Sequence, residues 1–294
     1  MTNRCHFERE IALTPEQLAK TLDDYGLAGY YDAARAQLRN AIVLECDKCD
    51  AASAPGVSRL GGRPDLPSTL DWPRHQGRPL AFIAQIDCAQ AQPCDLAGEL
   101  PAQGWLYLFY DAQEQPWGFD PADRGGVRVL FHAGDCATLA PRPFPDDLPD
   151  EARFAAAALR FAACADLPDP DSHLLDCTLD DDEHEAWLDL CEDRVLARGC
   201  GTLLGHSRNI QHGQELQCEL VNNGLYCGNA SGYQDPRRAQ LEAGAAQWRL
   251  LLQLEGVDDC GMQWGDSGRL YVWLRAQDLR EHRFENAWAI LQCH

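Results

Sequence analysis

Met262–Trp273 reads MQWGDSGRLYVW, and the reading of this stretch decides the fold. Trp264-Gly265-Asp266-Ser267-Gly268 is a turn, because glycine permits positive φ while Asp and Ser bond locally to backbone. Arg269 to Arg275 then alternates as a strand. Outward from it, Trp248 to Glu255 (WRLLLQLE) reads as its neighbour, Asp278 to Asn286 as a short helix, and Trp288 to Cys293 as a closing strand.

The same order occurs upstream. LAFIAQID from Leu80 and GWLYLFYD from Gly104 match RLLLQLE from Arg249 and GRLYVWLR from Gly268. In each pair an apolar strand ends in Gln, an aliphatic and an acidic residue, and a strand of the form G-x-L-Y-x-aromatic follows. Val127 to His132 supplies the third upstream strand, and Leu60-Gly61-Gly62 is echoed by Leu204-Gly205-His206. The expectation is an α+β fold of two similar lobes made by internal duplication, each a mainly antiparallel sheet with helices packed on one side. Chance similarity of two ordinary hairpins is the competing reading. The expected organisation is an N-terminal helical segment and first strand over residues 1–55, a first lobe over 56–145, an acidic linker and helix over 146–198, and a second lobe over 199–294.

Thr14-Pro15-Glu16-Gln17 is a capping-box helix start, and a second helix is expected from about Ala28 to Leu38, followed by a strand from Ala41 to Cys46. Pro141 to Pro149 reads as a linker, Ala155 to Leu167 as a strand, Asp180 to Ala197 as a helix, and Asp235 to about Gly244 as another. Gly199 to Gln211 reads as a glycine-bearing loop.

No apolar run approaches about 18 residues, so no membrane span is expected. The first ten residues, MTNRCHFERE, lack the apolar core of a secretory signal, and a cytoplasmic location follows as an expectation. The 14 cysteines are then expected to be reduced, with Cys88, Cys191, Cys260 and Cys293 among apolar neighbours. The net charge is −21, and between Asp146 and Asp193 16 acidic residues face Arg153 and Arg160 alone. Such a field repels nucleic acid and anionic membranes and steers a cationic partner inward. A solvated segment that only aids solubility is the plainer alternative.

These motifs resemble the YwqG-like family of bacterial proteins, a domain of unknown function. The resemblance rests on Leu60-Gly61-Gly62-Arg63-Pro64 with Trp72-Pro73, Leu80 to Asp87, Gly104 to Asp111, Trp117 to Asp120, Leu203-Leu204-Gly205, Trp264 to Trp273 and Ala287 to Gln292. It implies an intracellular α+β protein without an assigned catalytic set. In genomic setting and style of fold its members resemble the accessory and immunity-type proteins that accompany bacterial toxins, which is analogy and not chemistry.

The chain offers no reactive constellation. It has no G-x-S-x-G, no phosphate loop, and no EF-hand order around Asp180 to Glu185. Cys46-x-x-Cys49 has zinc-ligand spacing, and Cys5-His6, Cys88 and Cys94 are the residues available to complete a set, but no second close pair stands at matching distance. No cofactor is expected. The candidate binding residues are Arg59, Gln85, Trp117, Asp120, Asp123, Arg124, Gln253, Trp264, Asp266 and Arg269, all in or beside the glycine-rich turns. Gln85 and Gln253 end apolar strands, where a buried amide must find partners and pins the loops. The expected function is non-enzymatic binding of a basic protein partner, as an immunity-type protein neutralising a toxin. An enzyme or small-molecule sensor with its site between the lobes, and a zinc-stabilised structural protein, stay open as alternatives.

Overall fold

The computed structural model describes residues 13–48, 54–172, 174–195 and 199–294. The helices are α1 (Pro15–Asp24), α2 (Tyr31–Gln37), α3 (Cys88–Ala91), α4 (Asp181–Val195), α5 (Glu215–Asn222), α6 (Ala230–Gln234), α7 (Arg238–Leu241) and α8 (Ala276–Arg280). Ten strands form one antiparallel sheet: β1 (Arg39–Lys48), β2 (Arg59–Leu60), β6 (Ala81–Asp87), β7 (Trp105–Tyr110), β8 (Val127–His132), β10 (Ala157–Asp166), β11 (Gly201–Leu204), β12 (Trp248–Glu255), β13 (Arg269–Arg275) and β14 (Trp288–Gln292). Their order is β14-β13-β12-β11-β1-β10-β2-β6-β7-β8. Two small ribbons complete the strands: β3 (Asp65–Pro67) pairs with β9 (Leu139–Pro141), and β4 (Arg74–His75) with β5 (Arg78–Pro79). The α+β class expected from the sequence is observed.

The centre is β1 against β10, paired from Arg39 opposite Asp166 to Lys48 opposite Ala157. On either side the register repeats. Gln85 lies opposite Tyr107 and Gln253 opposite Tyr271, and each β6/β7 and β12/β13 pair carries a bulge just before the glutamine, between Phe82 and Ala84 and between Leu250 and Leu252. The backbone turns left-handed at Gly61 and Gly62 on one flank and at Leu204 and Gly205 on the other. The left-handed pair on the second flank thus falls one residue earlier than the Gly205-His206 that the sequence echo sets against Gly61-Gly62. Leu204 adopts a conformation usually left to glycine, and this hid the register.

Period-two alternation divides the strands between cores. Leu106, Leu108 and Tyr110 of β7 share one core with Leu270, Val272 and Leu274 of β13, so the inner faces of the two flanks meet and the sheet curls on itself. The space left between these faces is about 20 Å³, lined by aliphatic side chains that include Ile86, Leu203 and Val272. The outer face of β7, with Trp105, Tyr107 and Phe109, is covered by the β3/β9 ribbon through Leu66 and Leu139. The outer face of β13, with Tyr271 and Trp273, is covered by α5 through Cys218 and Leu220. Pro141 thus ends a paired strand, and Phe144 beyond it packs on Trp72, so the expected linker is in part built into the fold.

A fourth core joins α1, α2 and α4 through Leu18, Leu22, Ala34, Trp187 and Leu190. The expected capping box is present: Gln17 N–H donates to Thr14 Oγ1 at 3.2 Å and Thr14 N–H to Gln17 Oε1 at 2.8 Å. The outward side of α4 presents Asp181, Asp182, Glu185, Asp189, Glu192 and Asp193, so the acidic stretch forms an exposed helical face. Among the described residues, no helix is long and apolar enough to cross a membrane.

Burial raises the hydroxyl pKa of Tyr107, Tyr110 and Tyr271 above the ordinary value of 10. A raised folded-state pKa contributes stability that is complete below the unfolded value and is lost as pH rises through the folded one. In an alkaline titration followed by tyrosinate absorbance, these three hydroxyls are expected to ionise only with unfolding, above pH 10. Ionisation of all eight tyrosines in a single step near pH 10, with the fold intact, would contradict this.

Candidate functional site

The two glutamines act as matched internal clamps. Gln85 Oε1 accepts the Asp65 N–H at 2.8 Å, and its amide donates to the Val57 carbonyl at 3.0 Å. Gln253 Oε1 accepts the Arg208 N–H at 2.9 Å, and its amide donates to Thr202 Oγ1 at 2.9 Å and the His206 carbonyl at 3.3 Å. The strand-paired tyrosines complete each clamp: Tyr107 donates to the Asp65 carbonyl at 2.7 Å and Tyr271 to the Arg208 carbonyl at 2.5 Å. Both amides are fully buried and hold backbone, so neither faces a cleft. Replacing either Gln with Leu strands a buried N–H and is expected to cost about 1–3 kcal/mol in chemical denaturation.

Arg59 is buried beside the first clamp and pairs with Asp65 at 2.9 Å. Beside the second, Arg208 is buried between Asp166 and Asp169. Burial raises both carboxyls above the ordinary aspartate range, with Arg208 pulling the other way. Arg269 pairs with Glu255 and donates to the Arg208 carbonyl. Trp264 is buried edge-on against Tyr110 and Phe154, its indole N–H donating to the Glu255 carbonyl at 3.0 Å. Asp266 is exposed at the turn, where its carbonyl accepts the His294 N–H at 3.3 Å.

The remaining candidates share the connection from Asp111 to Gly126, which joins the adjacent strands β7 and β8. A hairpin needs only about 2–5 residues, and much longer connections in compact domains are usually functional or disordered. This one is pinned along its length. Tyr110 Oη donates to the Pro116 carbonyl at 2.8 Å, and Asp123 accepts the Gly118 N–H at 2.9 Å. Asp120 caps the short helical turn after it, its Oδ1 accepting the Ala122 N–H at 2.8 Å. Burial raises the Asp123 carboxyl, opposed by the hydrogen bonds it accepts from the Gly118 and Asp120 N–H groups.

The connection then crosses to the opposite flank. The Gln115 amide donates to the Gln263 carbonyl at 3.2 Å, and its oxygen accepts the Gly265 N–H at 2.9 Å. The Trp117 carbonyl accepts the Leu291 N–H at 3.3 Å, the Gly118 carbonyl accepts the Trp288 indole N–H at 3.0 Å, and the Phe119 carbonyl accepts the Cys227 N–H at 2.8 Å. The free edge of β14 is thereby covered, and the two turns singled out in the sequence meet at the seam.

Three rings lie on the seam's outer surface. Phe119 stands 6.5 Å from Trp117 and 5.6 Å edge-on from Tyr226. Trp117 is 38% and Tyr226 40% exposed; among the described residues only Leu96 matches them as an exposed large apolar side chain. Arg124 lies over the Trp288 ring at 5.4 Å and donates to Asn222 Oδ1 at 2.7 Å, so its charge is held beside the patch. Of the ten candidates the structure gathers Trp117, Asp120, Asp123 and Arg124 here, while Arg59, Gln85, Gln253 and Trp264 are internal. Tyr226 and Phe119 escaped the sequence reading; only the fold brings Tyr226 against Phe119.

Cys88, Cys191, Cys260 and Cys293 are buried as expected. Cys49 and the Cys5-His6 pair lie outside the described residues. Among the described residues no group of three or more His, Cys, Asp or Glu side chains is placed to hold a metal ion.

The architecture is thus an α+β protein built on one curled antiparallel sheet, with a pinned loop and an aromatic patch at its seam. The chain belongs to a family described as a domain of unknown function (DUF1963), whose model matches residues 58–293. No curated protein matches the chain.

Proposed function

We propose that this chain is a non-enzymatic binding protein whose partner is a basic protein, of the kind a nuclease-type toxin domain represents, neutralised on binding. The observation that carries the reading is the aromatic patch in which exposed Trp117 and half-buried Phe119, on a loop held by hydrogen bonds along its length, meet exposed Tyr226. Rigid aromatic anchors lose little conformational entropy on docking and dominate interface energetics. The net charge of −21 and the exposed acidic face of α4 supply steering toward a cationic surface. The space between the inner faces, about 20 Å³, is too small for a metabolite, which counts against a sensor site at that place.

The finer architecture belongs to the same proposal: the sheet consists of one unit used twice, with the seam where the units close on each other. The equivalent bulges, glutamine clamps, clamp tyrosines and left-handed pairs support it. Mixing the chain with the products of neighbouring genes at two salt concentrations tests the function. Association at low salt that weakens as salt screens the field is expected. No association at low salt would contradict the proposal.

A further inference from the structure

The thiols supply a feature that the binding surface does not use. One end of the sheet opens into a groove of about 550 Å³, lined among others by Glu45, Cys46, Arg160, Cys200, Glu255 and Asp258. β1 and β11 run side by side there, with Leu44 opposite Gly201. Cys200 lies against β1: its N–H donates to the Leu44 carbonyl at 2.8 Å, and its Sγ sits 3.2 Å from the same oxygen. Cys46 is two residues further along β1, and its side chain packs against the same core cluster and lines the same groove as Cys200. A disulfide needs Cα atoms within about 7 Å, close to the separation of about 7–8 Å between diagonal neighbours on adjacent antiparallel strands.

We propose that Cys46 and Cys200 form a reversible modification site, a dithiol that a hydroperoxide oxidises to a disulfide tying β1 to the start of β11. Cys46 is half-buried at the groove wall and Cys200 is buried, so the oxidant reaches Cys46 first. Burial also pushes the Cys200 thiol up, which leaves Cys46 as the first nucleophile. The Cys46 thiolate attacks the peroxide: an S–O bond forms, the O–O bond breaks, and the departing oxygen leaves as water or alcohol after taking a proton. The Cys200 thiolate then attacks the sulfenic sulfur, the S–S bond forms, the S–O bond breaks, and hydroxide leaves as water. Two thiols lose two electrons and the peroxide gains them.

The test treats the full chain with one equivalent of hydrogen peroxide, counts free thiols, and maps peptides under non-reducing conditions. Loss of two thiols with a Cys46 to Cys200 crosslink that dithiothreitol reverses is the expected result. Cys49→Ser should retain the crosslink and Cys46→Ser should abolish it. In Cys200→Ser a dimedone adduct is expected on Cys46. A Cys46 to Cys49 crosslink, sulfinic or sulfonic acid at Cys46 in the unsubstituted chain, or a full thiol count after treatment would each overturn the proposal.

Discussion

Asp166→Ala is expected to destabilise the chain by about 3–5 kcal/mol, the usual consequence of removing one member of a buried ion pair. Asp166 ends β10, opposite Arg39 across the central strand pair, with its side chain fully buried. It accepts the His206 N–H at 2.7 Å and pairs with Arg208, whose other partner is Asp169 at 3.2 Å. Without it, the Arg208 guanidinium keeps a single carboxylate in a place that water does not reach. The Arg208 backbone also belongs to the second glutamine clamp, so the effect extends to the loop over β13. The double substitution Asp166→Leu with Arg208→Met removes both charges and should cost less than Asp166→Ala. Chemical denaturation decides: a single-variant loss under about 1 kcal/mol would mean the pair is not buried as described.

Gly118→Ala is the second large effect. Gly118 has φ +76°, and an added Cβ would overlap the Ala289 carbonyl oxygen in β14. A left-handed non-glycine residue costs about 1–2 kcal/mol, and forcing a contact of this kind adds about 1–3 kcal/mol. The loop would lift from β14, breaking the Trp117 to Leu291 and Gly118 to Trp288 hydrogen bonds and uncovering a strand edge. Hydrogen exchange should show Leu291 losing protection while the Leu44 region of β1, remote from the loop, keeps it. Unchanged protection at Leu291 would contradict the pinned-loop geometry.

Much of the sheet was legible because its strands carry strong local signals. The Trp264 to Gly268 turn, β12, β13 and β14 follow from glycine placement and apolar runs bounded by turns. Gln85 and Gln253 stood out because an amide at the end of an apolar strand demands partners. Tertiary context hid the rest. α5 has no side-chain cap and spans only Glu215–Asn222, so no start signal marks it. The expected helix from Asp235 is a short α7 continuing as a 3₁₀ turn from Glu242 to Gln247. The β3/β9 ribbon contains Pro67 and Pro141, residues that read as breakers in isolation and are tolerated in a short edge pair. The candidate surface was half visible: Trp117 and Arg124 lie in a loop rich in turn residues, whereas Tyr226 reaches them from a different segment.

The binding account rests on the seam patch, and the most direct measurement is calorimetric titration of the partner recovered by capture. It compares the unsubstituted chain with Trp117→Ala/Tyr226→Ala, whose fold is verified by its denaturation midpoint. The two residues are 38% and 40% exposed and lie outside the main cores, so the fold should be kept, while two aromatic anchors lost together should weaken binding about 100-fold or more. Equal affinity of the folded double variant and the unsubstituted chain would contradict the assignment of this patch as the working surface.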